Sequence, residues 1–169
     1  MVIAMIWKAY CEIRKRIFPF IVKRQCGQCG KELAVNHFSQ VNKSTILGDH
    51  VNFNGMRIGG GGRVKIGCYF HSGEGCHIIT SNHNYEGEAI PYDSKVVGKD
   101  VTISDFVWLG SHVMILPGVN IGEGAIIQAG AVVVSDIPAY AIAGGNPAKV
   151  FKYRDKERFL GLKEEGRFH

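Results

Sequence analysis

The sequence predicts an all-β fold in which one chain winds into a parallel β-helix, with short helical segments at its two ends. Two observations carry this. From Val97 to Pro138 the chain divides into consecutive sixes, VGKDVT, ISDFVW, LGSHVM, ILPGVN, IGEGAI, IQAGAV and VVSDIP. The first place of every six is Val, Ile or Leu (Val97, Ile103, Leu109, Ile115, Ile121, Ile127, Val133). The fifth is small or β-branched and apolar (Val101, Val107, Val113, Val119, Ala125, Ala131, Ile137). A six-residue period of this kind marks a solenoid in which each hexad forms one short strand and a corner. The glycines agree: Gly98, Gly110, Gly118, Gly122, Gly124 and Gly130 fall at corner places without a collagen-like period.

A chain of 169 residues is one domain's worth. In order, residues 1–32 read as a helical cap, 33–150 as the coil and 151–169 as a helical tail. Within the cap, Ile3, Ile6, Tyr10, Ile13 and Ile17 recur at helical spacing, and Arg14, Lys15 and Arg16 precede Pro19. The stretch is too short and too charged to span a bilayer. It is expected to cap the first turn or pack on a neighbouring subunit, with peripheral contact to an anionic membrane through residues 1–25 as the alternative. From Leu33 the hexads begin irregularly, through Leu47, Phe53, Ile66, Ser72 and Ile78. Gly59 to Gly62 lacks the lysine and helix of a nucleotide loop and fits close backbone approach at a corner. The period fails over residues 79–96, where His83, Asn84, Tyr85, Glu88, Pro91, Tyr92 and Asp93 must leave the coil as a loop. A rigid scaffold that extrudes one polar, aromatic-rich loop places it for binding. In the tail, Phe151, Phe159, Leu160 and Leu162 among charges predict a helix that closes the open end of the coil.

Composition narrows the partners. A formal charge of +5 suits an anionic ligand, but the basic residues lie toward both ends without aromatic interleaving, which argues against nucleic acid. Five cysteines without regular spacing, and no cleavable leader, lead to the expectation of a reducing cytoplasm and no disulfides. Cys26 and Cys29 have the spacing of half a zinc knuckle, but no second pair follows, so no metal site is assigned.

Three hexads per turn would stack residues eighteen apart, with turns about 4.8 Å from one another. First places then point inward, giving core columns Val97, Ile115, Val133 and Leu109, Ile127. Sixth places point outward, setting Trp108 under Ile126, Met114 under Val132 and Thr102 under Asn120. Two faces are therefore apolar outside as well as inside, as the subunits of a closed threefold ring require. Ser111, Ala129 and Pro147 fall in one column of small residues. A long thin ligand could lie along it against open backbone amides, with Trp108 at the near end and Lys149 and Lys152 at the far end for negative charge.

The strings Val107-Trp108-Leu109-Gly110-Ser111-His112, Pro117-Gly118-Val119, Gly130-Ala131-Val132-Val133 and Ala143-Gly144-Gly145-Asn146-Pro147-Ala148-Lys149 resemble the hexapeptide-repeat O-acetyltransferases. That family includes galactoside, maltose and streptogramin acetyltransferases and surface-polysaccharide O-acetyltransferases. The likeness covers about residues 45 to 152. It implies a left-handed β-helix, an exception to the usual crossover handedness, and a homotrimer with acetyl-CoA in the cleft between subunits. It implies that His83, in Ser81-Asn82-His83-Asn84, is the catalytic histidine, and that the Ser111 N–H faces the thioester carbonyl. By the same resemblance Ala129 meets the pantetheine arm, Pro147 packs near the adenine, Lys149 and Lys152 lie near the phosphates, and Trp108 and Gly110 belong to the coenzyme site. Asn82, Asn84, Tyr85, Tyr92 and Asp93 would line the acceptor side, where the loop departs from the sugar acetyltransferases. Nothing about Cys26 and Cys29 is inherited from the family.

These residue types suit acyl transfer to an alcohol. A histidine supplies a base with a pKa near neutrality, and a backbone N–H aimed at the developing oxyanion supplies the second element. Direct attack in a ternary complex needs no serine or cysteine nucleophile and no metal. The expected function is O-acetylation of a sugar hydroxyl in surface-polysaccharide or lipopolysaccharide synthesis. N-acetylation of an amino sugar and acetylation of an antibiotic are the close alternatives. A β-helical carbonic anhydrase would need zinc-binding histidines, but His71, His77 and His83 at six-residue spacing scatter over different faces. A non-catalytic scaffold would need neither His83 nor the open column.

Overall fold

The computed structural model describes the backbone of residues 2–169 and the side chains of Met5 and of residues 12–169. Among the described residues the coil has three parallel-stranded faces. The first is built from Gln28–Cys29, Thr45–Leu47, Val64–Ile66, Val101–Ile103 and Asn120–Ile121. The second runs through Ala34–His37, Asn52–Asn54, His71–Glu74, Trp108–Leu109, Ile126–Ile127 and Ala141–Gly144. The third holds Arg57–Gly59, His77–Ile79, Met114–Ile115 and Val132–Val133. Thr102 pairs with Asn120, Trp108 with Ile126 and Met114 with Val132, so a turn is three hexads as the period requires.

Strand alternation sends the hexad positions inward. Ile66, Ile103 and Ile121 are fully buried behind the first face, Leu109 and Ile127 behind the second, and Ile78, Ile115 and Val133 behind the third. Each such side chain contributes about 1.5–3 kcal/mol of transfer free energy. In the third core column the residue below Ile115 is Ile78, with Ile58 beneath it, not Val97. Val97 is 40% exposed and belongs to a hairpin, Ser81–His83 paired antiparallel with Val96–Gly98, that leaves the coil between the third and first faces. This insertion is why Val64 pairs with Val101.

The coil also starts earlier and ends differently than the sequence suggests. Gln28–Cys29 is already a first-face strand, so the cap is shorter than residues 1–32. Cys26 is buried in the core and Cys29 packs against it. At the other end the corner after Val133 is two residues short: Ile137 bridges to Ile121, and Ile142 pairs with Ile126. Ile137 thus takes a first-place position, not a fifth. The apolar outer columns hold only in the upper turns. Lower down, the second face carries the hydrogen-bonded Asn36, Asn52 and Asn54 with His71, and the third face carries Arg57 and His77.

The amino-terminal helix, α1 (Val2–Gln25), docks through Phe18 and Val22, and the Gln25 Oε1 accepts the Val41 N–H at 3.1 Å. The tail forms a strand, Lys149–Tyr153, antiparallel to Ala141–Gly144, and then α2 (Lys156–Glu164). The strand, not the helix, closes the last second-face edge; α2, capped by Asp155, turns back along the outside of the coil. It packs on the corner between the first and second faces, where His50, Tyr69, Phe106 and Tyr140 all have φ near +55 to +61°. For non-glycine residues that conformation costs roughly 1–2 kcal/mol each. Ring stacking offsets it: His50 and Tyr69 stack at 4.5 Å, Tyr69 and Phe106 at 5.2 Å. The rung between Phe106 and Tyr140 is Gly124, and the tail's Phe159 fills it, meeting Phe106 at 5.9 Å and Tyr140 at 5.1 Å. A Cβ on Gly124 would lie 2.9 Å from the Phe159 ring. Lys163 pairs with Glu123 beside it, and that hydrogen bond holds the Lys163 pKa above its ordinary value.

Phe159→Ala should therefore destabilise the protein by about 3 kcal/mol through loss of a buried ring, with Gly124→Ala also destabilising. Urea unfolding of both variants against the parent measures this; an unchanged midpoint for Phe159→Ala contradicts the docking role.

Candidate functional site

The three corners of the prism have different fates. The first–second corner is covered by the tail. The third–first corner extrudes the hairpin, and the second–third corner is left open.

At the third–first corner the backbone is crowded. Gly62 is required because a Cβ there would lie 2.5 Å from the Lys99 carbonyl oxygen. The buried Thr80 hydroxyl donates to the Gly59 carbonyl and accepts the Gly62 N–H, and the Lys99 N–H donates to the Thr80 carbonyl at the hairpin neck. Beyond the neck the loop is braced from within. Asn84 Nδ2 donates to Asp93 Oδ2 at 2.9 Å, and the Lys95 N–H donates to Asp93 Oδ1 at 2.8 Å. Both Asp93 oxygens accept a hydrogen bond in this brace, so Asp93 and Asn84 shape the loop. His83 is exposed on the hairpin and lies flat against Tyr92, ring centroids 3.8 Å apart and planes 12° from parallel. A cavity of about 280 Å³ opens beside it, lined by Asn82, His83, Asn84, Tyr85, Lys99 and Pro117 among others. Lys99 and Pro117 were given no site role from sequence; the fold brings the Pro117 corner against Lys99 at the hairpin neck.

At the second–third corner Ser111 and Ala129 do stack, with the Gly130 N–H donating to the Ser111 carbonyl. At several places in the coil a side-chain oxygen one turn up takes a corner N–H: Asp49 Oδ1 accepts from Lys31, Asp105 Oδ1 from Cys68, and Ser111 Oγ from Glu74. Above Ser111 stands Ala129, which has no acceptor to offer. Above Ala129 stands Gly145, by the register that pairs Ile127 with Ala143. The N–H groups of Ser111 and Ala129 accordingly have no acceptor among the described residues. Two donors along one column of small residues can bind an extended ligand carrying carbonyl groups. Gly110 is needed behind them, since a Cβ there would lie 2.5 Å from the Ala129 nitrogen.

Pro147 is not in this column. The two-residue shortening before Ile137 moves Gly145 into its place and carries Pro147 past the corner, next to Ala148, whose N–H donates to the Val132 carbonyl. Lys149 lies opposite Gly144, at the end of the column, and Lys152 opposite Ile142 on the second face; both are exposed. Trp108 points out from the second face and lines a cavity of about 350 Å³ beneath the tail, with Tyr69, Phe106 and Phe159, instead of marking the near end of the column. Within one subunit the His83 hairpin and the Ser111–Ala129 column thus stand on different corners. His71 and His77 lie on the second and third faces, and burial lowers the pKa of each, helped by His169 and Arg57 respectively.

Comparison with known proteins adds independent findings. The family described as bacterial transferase hexapeptide (six repeats) matches residues 96–135. A candidate acetyltransferase of Saccharomyces cerevisiae is 32% identical over 139 residues, 78% of this chain and 68% of that one. Further curated relatives are matched over 29, 45 and 57% of their own length. Among solved structures, a hexapeptide-repeat-containing acetyltransferase from Vibrio cholerae superposes with a TM-score of 0.71 at 26% identity, covering 80% of this chain and 78% of that one. A maltose O-acetyltransferase from Clostridium difficile superposes with a TM-score of 0.66 at 25% identity, covering 88 and 86%.

The brace on the hairpin generates a prediction. A Cβ on Gly87 would fall 1.9 Å from Asp93 Oδ2, so Gly87→Ala should break the Asn84–Asp93–Lys95 contacts without loosening the coil. Hydrogen exchange should quicken at the Asp93 and Lys95 amides at least tenfold while the melting temperature stays within a few degrees. Unchanged exchange at those amides contradicts the brace.

Proposed function

The chain belongs to the hexapeptide-repeat acetyltransferases, folded as their left-handed parallel β-helix, and we propose that it moves an acetyl group from acetyl-CoA to a hydroxyl of a sugar. The observation that carries this is the pair of unacceptored N–H groups at Ser111 and Ala129 on one open corner, with a histidine extruded on a braced hairpin at another. In this reading the Ala129 N–H meets the pantetheine arm and Lys149 and Lys152 attract the phosphates. The Ser111 N–H faces the oxygen of the thioester carbonyl, where negative charge grows in the transition state. His83 takes the proton of the acceptor hydroxyl as that oxygen attacks the carbonyl carbon, and returns it to the departing thiolate. Tyr92, flat against His83, fixes the ring plane, and Asn82 and Tyr85 line the acceptor side. A sugar acceptor is supported by the likeness to a maltose O-acetyltransferase and by the polar lining of the His83 cavity; a surface-polysaccharide precursor is the acceptor class that we infer.

Because the two halves stand on different corners of one prism, this reading requires the hairpin of one subunit to reach the column of the next. A threefold ring supplies three such sites. The half-buried Met114 and Val132 of the upper third face support that association.

The direct test is thiol release from acetyl-CoA against a panel of sugars, amino sugars and chloramphenicol, with the product identified as ester or amide. An ester on a sugar hydroxyl is expected; an amide product would move the chain to N-acetylation. His83→Ala should lower kcat by roughly 10²–10⁴-fold with acetyl-CoA affinity near normal. In calorimetric titration Ala129→Phe should weaken acetyl-CoA more than Lys149→Ala, whose exposed contact accounts for about tenfold or less. An Ala129→Phe protein that binds as tightly as the parent removes the column from the site.

A further inference from the structure

Capping the coil uses only one side of α1. Its docking contacts are Phe18, Val22 and Gln25, which lie on one side. On the opposite side Ile13, Ile17 and Phe20 are 55, 47 and 58% exposed, a continuous apolar stripe that touches nothing in the subunit's core. Three large apolar residues held in water at successive turns of a helix are unfavourable unless something covers them.

The spacing says what covers them. Written as heptads, residues 3–23 place Ile3, Tyr10 and Ile17 at a, and Ile6, Ile13 and Phe20 at d. The 3-4 alternation is unbroken over three heptads, which is the seam of a coiled coil and narrower than the stripe a globular core requires. The docking residues Phe18, Val22 and Gln25 fall at b, f and b, opposite that seam, so one helix can engage its own coil and a neighbour at once. Four of the six seam residues are isoleucine at both a and d, a pattern that favours three or four strands over two. In a parallel arrangement the flanking g and e positions pair Ala9 with Arg14 and Arg16 with Ile21, so no like charges face each other across the seam. Pro19 is at c, off the seam, and within a helix of 24 residues it does not interrupt the stripe.

We propose that the α1 helices of three copies of this chain form a parallel three-stranded coiled coil through this seam, a second clamp on the trimer beside the β-helix faces. This rests on the trimeric reading above, and the experiment separates the two. Ile13→Cys places a thiol on the seam, Lys15→Cys places one at f, and the parent chain, which carries Cys11 at b, sets the baseline. After brief treatment with a short bismaleimide, which joins two thiols by addition, Ile13→Cys should give covalent dimers at least about tenfold above both controls. In parallel, light scattering of the untreated proteins gives the assembly state, and Ile13→Glu/Ile17→Glu should dissociate the trimer at higher protein concentration than the parent. A trimer by scattering with no excess cross-linking at Ile13→Cys overturns the coiled coil and leaves the trimer standing. A monomeric parent overturns both. Arg14, Lys15, Arg16 and Lys23 beside the same stripe define the competing occupant, an anionic lipid surface. Co-sedimentation of the parent with phosphatidylglycerol vesicles, abolished by Ile13→Glu and without cross-linking at Ile13→Cys, assigns the helix to the membrane and overturns the proposal.

Discussion

Backbone pairing between successive turns governs this molecule. Within each face the short strands are hydrogen-bonded in parallel register from one turn to the next, so a displacement in one turn is passed to its neighbours. The faces have little freedom as a result: inward places in the upper turns are Ile, Val, Leu or Ala, and the lower turns fill the wider space with Phe53, Met56 and Phe70. Small irregularities are absorbed as bulges within the second face. The large insertion, the two-residue shortening before Ile137 and the chain reversal all lie at corners.

Each corner consequently has a separate role. Where Gly124 leaves a rung empty in the aromatic stack, the tail docks with Phe159. Where Gly60 and Gly62 let the backbone pass close to Thr80 and Lys99, the hairpin leaves with His83 near its base. Where Ala129 and Gly145 stand in place of the side-chain oxygens that accept the Lys31, Cys68 and Glu74 N–H groups, two donors stay open. The donors and the histidine thus stand on different corners of one prism, which is why the proposed function calls for a second copy of the chain.

Much of this was legible in the sequence because the period is strict from Ile103 to Val133: inward and outward residues, the Ser111–Ala129 stack and the start of the extruded loop all follow from counting in sixes. What failed did so where counting was carried across a corner of altered length. Two residues missing before Ile137 put Gly145 where Pro147 was expected, and Val97 lies on the hairpin because pairing with Asn82 satisfies its backbone outside the coil. The tail's path was not legible because it depends on Gly124, a rung whose vacancy is visible only once Phe106 and Tyr140 are known to share a corner. The bond between Asn84 and Asp93, which holds the loop's shape, was not legible either, because nothing in the order of residues pairs two polar groups nine apart across a loop.

The central claim is that one active site is made by two subunits, the histidine from one and the open amide column from the other. Subunit complementation tests it most directly. His83→Ala and Ala129→Phe chains, each inactive alone, are unfolded together, refolded and assayed for acetyl-CoA-dependent transfer, with mixed trimers verified by mass. In a closed threefold ring a mixed trimer holds one interface at which an intact His83 faces an intact column, so up to about one site in three should recover. Mixed trimers that form and remain inactive would contradict the claim and place the whole site within a single chain.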